Sequence, residues 1–258
     1  MKKLIAAATA AAISVGAASV ALASHSWGNY HWARTTSSFT LSVTDSVSPL
    51  WDAELQDTLN NWAQSQSLEF AVVGTDDGDR ARKRCSAIAG QIRVCNAAYG
   101  NNGWLGLASI GLDSQGHIDQ GTAKMNDSYD SYFTQDERNH VMCQEVGHLF
   151  GLGHTSEDGS SQSTCMDYSS DPSSQWPNSH DMQMISSIYA HIDAYNSYLS
   201  GATPPPCKGK GCNGPALAND NVPMGILVHK GDHEEIWVAS RADGGYWIHH
   251  VRLAPARH

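Results

Sequence analysis

The sequence predicts an α+β fold: one exported domain with a small β appendage at its end. Three observations predict it. A strand–helix–strand series opens the domain, at Phe39-Thr-Leu-Ser-Val43, Leu50 to Ser65 and Leu68 to Val73. A group of short strands follows, and then two helical stretches. The composition, 41% hydrophobic and 16% charged, can build a core and is not that of a disordered acidic tail. Acidic residues outnumber basic ones by 26 to 16, for a formal charge of -10. That balance argues against nucleic acid and anionic membranes as partners, because both reward clustered Lys and Arg.

The N-terminus reads as a targeting segment. Met1-Lys2-Lys3 is a short positive start, and Leu4 to Ala23 is uncharged and rich in Ala. Ala21-Leu22-Ala23 places small residues where a signal peptidase reads. Thr9, Ser14, Gly16 and Ser19 interrupt the apolar run, which disfavours a membrane anchor. Residues 1–23 are therefore expected to be a signal peptide, and the protein is expected to be secreted, without stable membrane insertion. An oxidising compartment makes the six cysteines legible as disulfides. The expected pairs are Cys85–Cys95 across a hairpin, Cys143–Cys165, and Cys207–Cys212. Six cysteines allow 15 pairings, so spacing alone does not select this one.

The elements follow in order. Phe39 to Val43 alternates and reads as a strand. Leu50, Trp51, Leu55, Leu59 and Trp62 fall at helical spacing in the next stretch. Leu68 to Val73 reads as a buried strand, and the order implies a crossover with parallel pairing. Thr75 to Arg84 is polar and loop-like. Ile92-Arg-Val94 and Trp104 to Ile110 read as strands, with Gly100-Asn-Asn-Gly103 as the turn signal between them. His117 to Met125 reads as another strand. Thr134 is an expected N-cap, with Glu137 three residues on, for a helix from Gln135 to Phe150 that stops at Gly151 or Gly153. A last helix is expected from His180 to about Leu199. Residues 201–223 are Pro- and Gly-rich and read as a linker. Residues 224–258 carry alternating Ile236-Trp-Val238 and Tyr246-Trp-Ile248 around Asp243-Gly-Gly245, which suggests a hairpin packed on the main domain. The main domain is thus expected over 24–200. His249 and His250, on that last strand, read as surface residues.

The chemistry lies in His140-Val-Met-Cys-Gln144-Glu145-Val-Gly-His148-Leu-Phe-Gly151-Leu-Gly-His154. Glu145 and His148 are three apart and share a helix face. Gly151 can end the helix in a left-handed conformation, so His154 can approach His148 from outside it. Two imidazoles then converge beside a carboxylate, as a catalytic zinc requires.

This stretch resembles the signature H-E-x-x-H-x-x-G-x-x-H of the metzincin zinc endopeptidases, of the matrixin/astacin-like clan, at Glu145, His148, Gly151 and His154. Cys165-Met166-Asp167-Tyr168 resembles that family's Met-turn. The resemblance implies a twisted mixed sheet with a long crossover helix, an active-site helix, a Met-turn and a C-terminal helix. It implies Zn2+ on His148 and His154, Glu145 as general base, Met166 beneath the metal, and Tyr168 reaching the metal or the oxyanion. It also implies a peptide or protein substrate lying along an edge strand, Trp104 to Ile110, and cleaved by a monomer.

The sequence departs from the signature at Gln144, which stands where the family places its first His ligand. Four readings stay open. Gln144 ligates weakly, with Tyr168 completing the shell. His140 replaces it, although His140 and His148 are about 12 Å apart along a helix axis. Two His and water hold the zinc loosely. Or the metal is lost, and the protein is a secreted binding or structural protein on the same scaffold. Retention of Glu145 favours an active site, since a dead one has no use for that carboxylate.

Overall fold

In the computed structural model, residues 25–199 and 222–255 are described. The segment 1–23, the linker residues 201–221, and Cys207 with Cys212 lie outside them. The strands are β1 (Phe39–Ser46), β2 (Leu68–Thr75), β3 (Gln91–Ala97), β4 (Trp104–Leu112), β5 (Ile118–Asn126), β6 (Ile226–Lys230), β7 (Glu234–Ser240) and β8 (Tyr246–Leu253). The helices are α1 (Asp52–Trp62), α2 (Asp79–Arg84), α3 (Gln135–His148) and α4 (Ser179–Ile188).

All eight strands form one mixed sheet in the order β2-β1-β3-β5-β4-β8-β7-β6. From β2 to β5 the neighbours are parallel; from β5 onward they are antiparallel. The crossover helix α1 turns Leu55, Leu59 and Trp62 inward, the spacing of one helical stripe, and packs on α3. Helix α3 packs in turn on β4 and β5. Trp62, fully buried, donates its indole N–H to the Cys143 carbonyl at 3.1 Å and lies edge-on to Phe150. That contact joins the core of α1 to the middle of α3.

Several expectations need correction. β2 is an edge strand, with Val72 53% and Val73 56% exposed. Its apolar run serves one hydrogen-bonded side only, that of β1. The polar stretch before Cys85 contains α2, six residues long. Cys85–Cys95 therefore joins the end of α2 to β3 and does not cross a hairpin. Cys143–Cys165 ties α3 to the loop that carries Met166. The last helix stops at Ile188. Beyond it, the Asp193 and Ser197 amides donate to the Arg34 and Ala33 carbonyls, so tertiary pairing with the N-terminal segment replaces further helix.

The largest correction concerns β4. It is not an edge. β8 pairs antiparallel along it from Trp104↔Leu253 to Leu112↔Tyr246, while β5 holds its other side. An extended peptide has no free edge on β4 while β8 is in place.

Candidate active site

Thr134 caps helix α3, its hydroxyl accepting the Glu137 amide at 3.2 Å. Every residue from Asn139 to His148 is buried. The chain leaves the helix through Gly151, at φ 100°, a backbone conformation that L side chains rarely adopt. A Cβ there would collide with the Tyr30 carbonyl. The chain then doubles back and places His154 against His148.

The two Nε2 atoms lie 3.1 Å apart. His148 Nδ1 is 2.8 Å from the Leu152 carbonyl, which can only accept, so Nδ1 carries the proton and Nε2 a lone pair. His154 Nδ1 lies 3.3 Å from the Glu234 carboxylate, which favours a proton on that nitrogen. Burial first, and the neighbouring His250 second, hold both imidazoles well below their ordinary pKa, which keeps them neutral. With both protons on Nδ1, the two Nε2 lone pairs can share one cation. In a tetrahedral zinc shell with bonds of about 2.0–2.1 Å, neighbouring nitrogens sit roughly 3.3 Å apart. The pair therefore fits a zinc ion.

Glu145 is fully buried. Its Oε2 is 3.3 Å from His250 Nδ1, and its Oε1 has no hydrogen-bond partner. Gly106 on β4 makes the space: a Cβ there would lie 2.7 Å from the Glu145 Cγ. A buried carboxylate oxygen without a partner is costly unless something else occupies the site. Met166 is fully buried against Gly147 of α3, and its carbonyl accepts the Thr155 amide at 2.8 Å. The Tyr168 hydroxyl donates to Glu234 Oε2 at 3.0 Å and is 3.0 Å from His154 Nε2. Burial, then Glu234, raise its pKa well above 10, so the phenol keeps its proton.

Gln144 is placed differently. Its amide nitrogen donates to the Asp167 carbonyl at 2.8 Å, and its amide oxygen accepts Arg252 Nη1 at 2.6 Å. His140 lies beside the same two groups, with Nε2 2.9 Å from the Asp167 carbonyl and 3.1 Å from Arg252 Nη1. Both side chains are engaged with the Met166 loop and strand β8.

What stands beside His148 and His154 is His250. The three rings each offer a nitrogen within 4.8 Å of the others. With Nδ1 toward Glu145, His250 Nε2 lies 2.8 Å from the Tyr168 hydroxyl. Burial opposes its charge, but the Glu145 and Glu234 carboxylates outweigh burial and push its pKa up to about 9. The expectation that His249 and His250 are surface residues is thus corrected, since both are buried. His249 turns to the other face of β8 and meets Ser109 Oγ at 2.8 Å. His250 and Arg252, two apart, share the face that meets α3. The available signal was strand periodicity: Ile248, His250 and Arg252 continue one inward row. Glu234 gave no signal of its own.

A cleft of about 300 Å³ reaches the imidazoles, bounded by His25, Trp27, Glu157, His229 and Glu234.

The Matrixin family model matches residues 31–190. No curated protein matches the chain. The match takes in β1 to β5, all four helices, Glu145, His148, His154, Met166 and Tyr168. It ends before β6, β7 and β8, so Glu234, His250 and Arg252 lie outside it.

Proposed function

The chain belongs to the matrixin family of zinc-dependent metallopeptidases, and on that premise we propose that it is a secreted zinc endopeptidase in which His148, His154 and His250 hold the metal. The carrying observation is the pair of neutral imidazoles whose Nε2 atoms face each other at 3.1 Å beside Glu145. His250 takes the place that the family gives to the residue at 144, and gives up its Nε2 proton as the metal binds. Gln144 instead anchors Arg252, and so holds in register the strand that carries His250. Two disulfides among the described residues suit an oxidising, extracellular setting. Among the same residues, no helix is long and apolar enough to cross a membrane.

A zinc ion bound there supplies a Lewis acid that polarises the scissile carbonyl. The rest belongs to the chain. Glu145, its Oε1 unpartnered, takes a proton from the attacking water and passes it to the leaving amine. The neutral Tyr168 hydroxyl turns its one proton from Glu234 toward the oxyanion. The Leu152 carbonyl fixes the tautomer of His148, and Glu234 favours the matching one of His154. Because β8 fills the β4 edge, substrate reaches the site through the cleft beside Trp27 and His229.

The zinc-loaded full chain should cleave a quenched fluorescent peptide library. A zinc chelator should abolish the cleavage, and added zinc should restore it. Absence of cleavage by a protein that has taken up zinc would favour the alternative, a binding or structural protein on the matrixin scaffold.

A further inference from the structure

The cleft that reaches the imidazoles has a charge pattern of its own. Among the described residues that line it, Glu157 and Glu234 are carboxylates and none is Lys or Arg. One oxygen from each carboxylate and a ring nitrogen of His154 lie within 4.8 Å of one another. The two carboxylates are not equivalent. Glu234 is buried and occupied: Tyr168 donates to it, and ring nitrogens of His154, His229 and His250 lie 3.3 Å from its oxygens. Glu157 is exposed and makes no hydrogen bond or ion pair with another described residue. It stands three residues beyond His154, where the chain leaves the site.

Apolar groups complete the wall. Trp27 lines the cleft, half-buried, with its ring edge-on to that of His148 at 5.3 Å. Ile236 lines it from β7. Ile236 pairs with His229 of β6 on one side and His250 of β8 on the other, and residues directly opposite across antiparallel strands share a face. An aromatic ring and an aliphatic side chain suit a long basic residue, which lays its methylene stem on apolar surface and keeps its charge outside. The face of a Trp ring also attracts a guanidinium or ammonium group.

We propose that Glu157 is the specificity-determining residue of this cleft, and that the peptide it selects carries Lys or Arg beside the scissile bond. The proposal rests on the peptidase reading of the site at His148, His154 and His250. The stem of the basic side chain lies along Trp27 and Ile236, and its cation pairs with Glu157 next to Glu234. Because Glu157 is so near a metal-binding ring, it serves a residue adjoining the bond that is cut. An acidic side chain at the same place meets two carboxylates and no base, and like charge rejects it. The formal charge of -10 draws basic peptides in the same sense.

The test uses the zinc-loaded full chain and short quenched peptides, neutral except at one position, which holds Arg, norleucine or Glu. The wild type should cut the Arg peptide with kcat/KM about 3–30-fold above that of the norleucine peptide, the range of one ion pair added to one cation–π contact. The Glu peptide should be the slowest. Glu157→Gln should lower the Arg-to-norleucine ratio, and Glu157→Lys should bring the Glu peptide ahead of the Arg peptide. Glu157 is exposed, so both variants should melt as the wild type does. A role in holding the fold would not invert a preference. Where no peptide is cut, fluorescence anisotropy of the same labelled peptides gives the ratio from Kd. Cleavage without preference for Arg, or a preference that Glu157→Lys leaves in place, overturns the proposal and leaves the peptidase reading intact. Binding that favours Arg and inverts in Glu157→Lys, with no cleavage, supports the subsite and removes the peptidase. Neither cleavage nor binding overturns both.

Discussion

Glu145→Gln should lose peptide cleavage by about 10²–10⁴-fold in kcat, the range expected when a positioned general base is removed, with zinc content unchanged. The side chain is fully buried and meets His250 Nδ1 at 3.3 Å. A Gln amide has the same shape, and its oxygen still accepts from that nitrogen. What it cannot do is take a proton from water. Stopped-time peptide cleavage alongside zinc analysis of the same preparation checks this. Cleavage within a few-fold of wild type would remove Glu145 from the mechanism. Loss of zinc together with activity would mean that the carboxylate holds the site together and does not act as base.

Gly151→Ala should destabilise the fold by about 2–5 kcal/mol, from backbone strain added to a steric clash. Gly151 sits at φ 100°, and its added Cβ would meet the Tyr30 carbonyl oxygen, with the carbonyl carbon 3.1 Å away. That carbonyl is backbone and cannot swing aside like a side chain. The Trp27 amide also donates to the Gly151 carbonyl at 2.7 Å, so moving the turn disturbs the N-terminal segment. The same turn brings His154 to His148, so zinc affinity should fall with stability. Thermal melts with and without zinc measure both. A melting temperature within a degree or two of wild type would mean that the turn is not fixed where it stands.

The sequence made the matrixin half of the site legible because its spacing is local. Glu145 and His148 share one helix face, and His154 follows by a single turn. The strand–helix–strand opening was legible for the same reason, in the stripe of Leu55, Leu59 and Trp62. What could not be read depends on contacts distant in sequence. Whether Leu68 to Thr75 is interior or edge is decided by its neighbours, and it has one. The helix after Ser179 ends early because amides beyond it pair with Ala33 and Arg34. His250 joins the site through strand pairing between residues more than a hundred positions apart, Ala108 opposite His250. Gln144 marked in sequence that something had changed; its bond to Arg252 shows where the amide went.

The account stands or falls on a metal between the imidazoles of His148, His154 and His250. Anomalous diffraction from crystals of the zinc-loaded protein, collected on both sides of the zinc absorption edge, locates it directly. The account predicts a peak bonded to those three rings, beside the Glu145 carboxylate, with Gln144 still turned to Arg252. No peak among the three rings, or a peak bonded to Gln144 with His250 turned away, would contradict it.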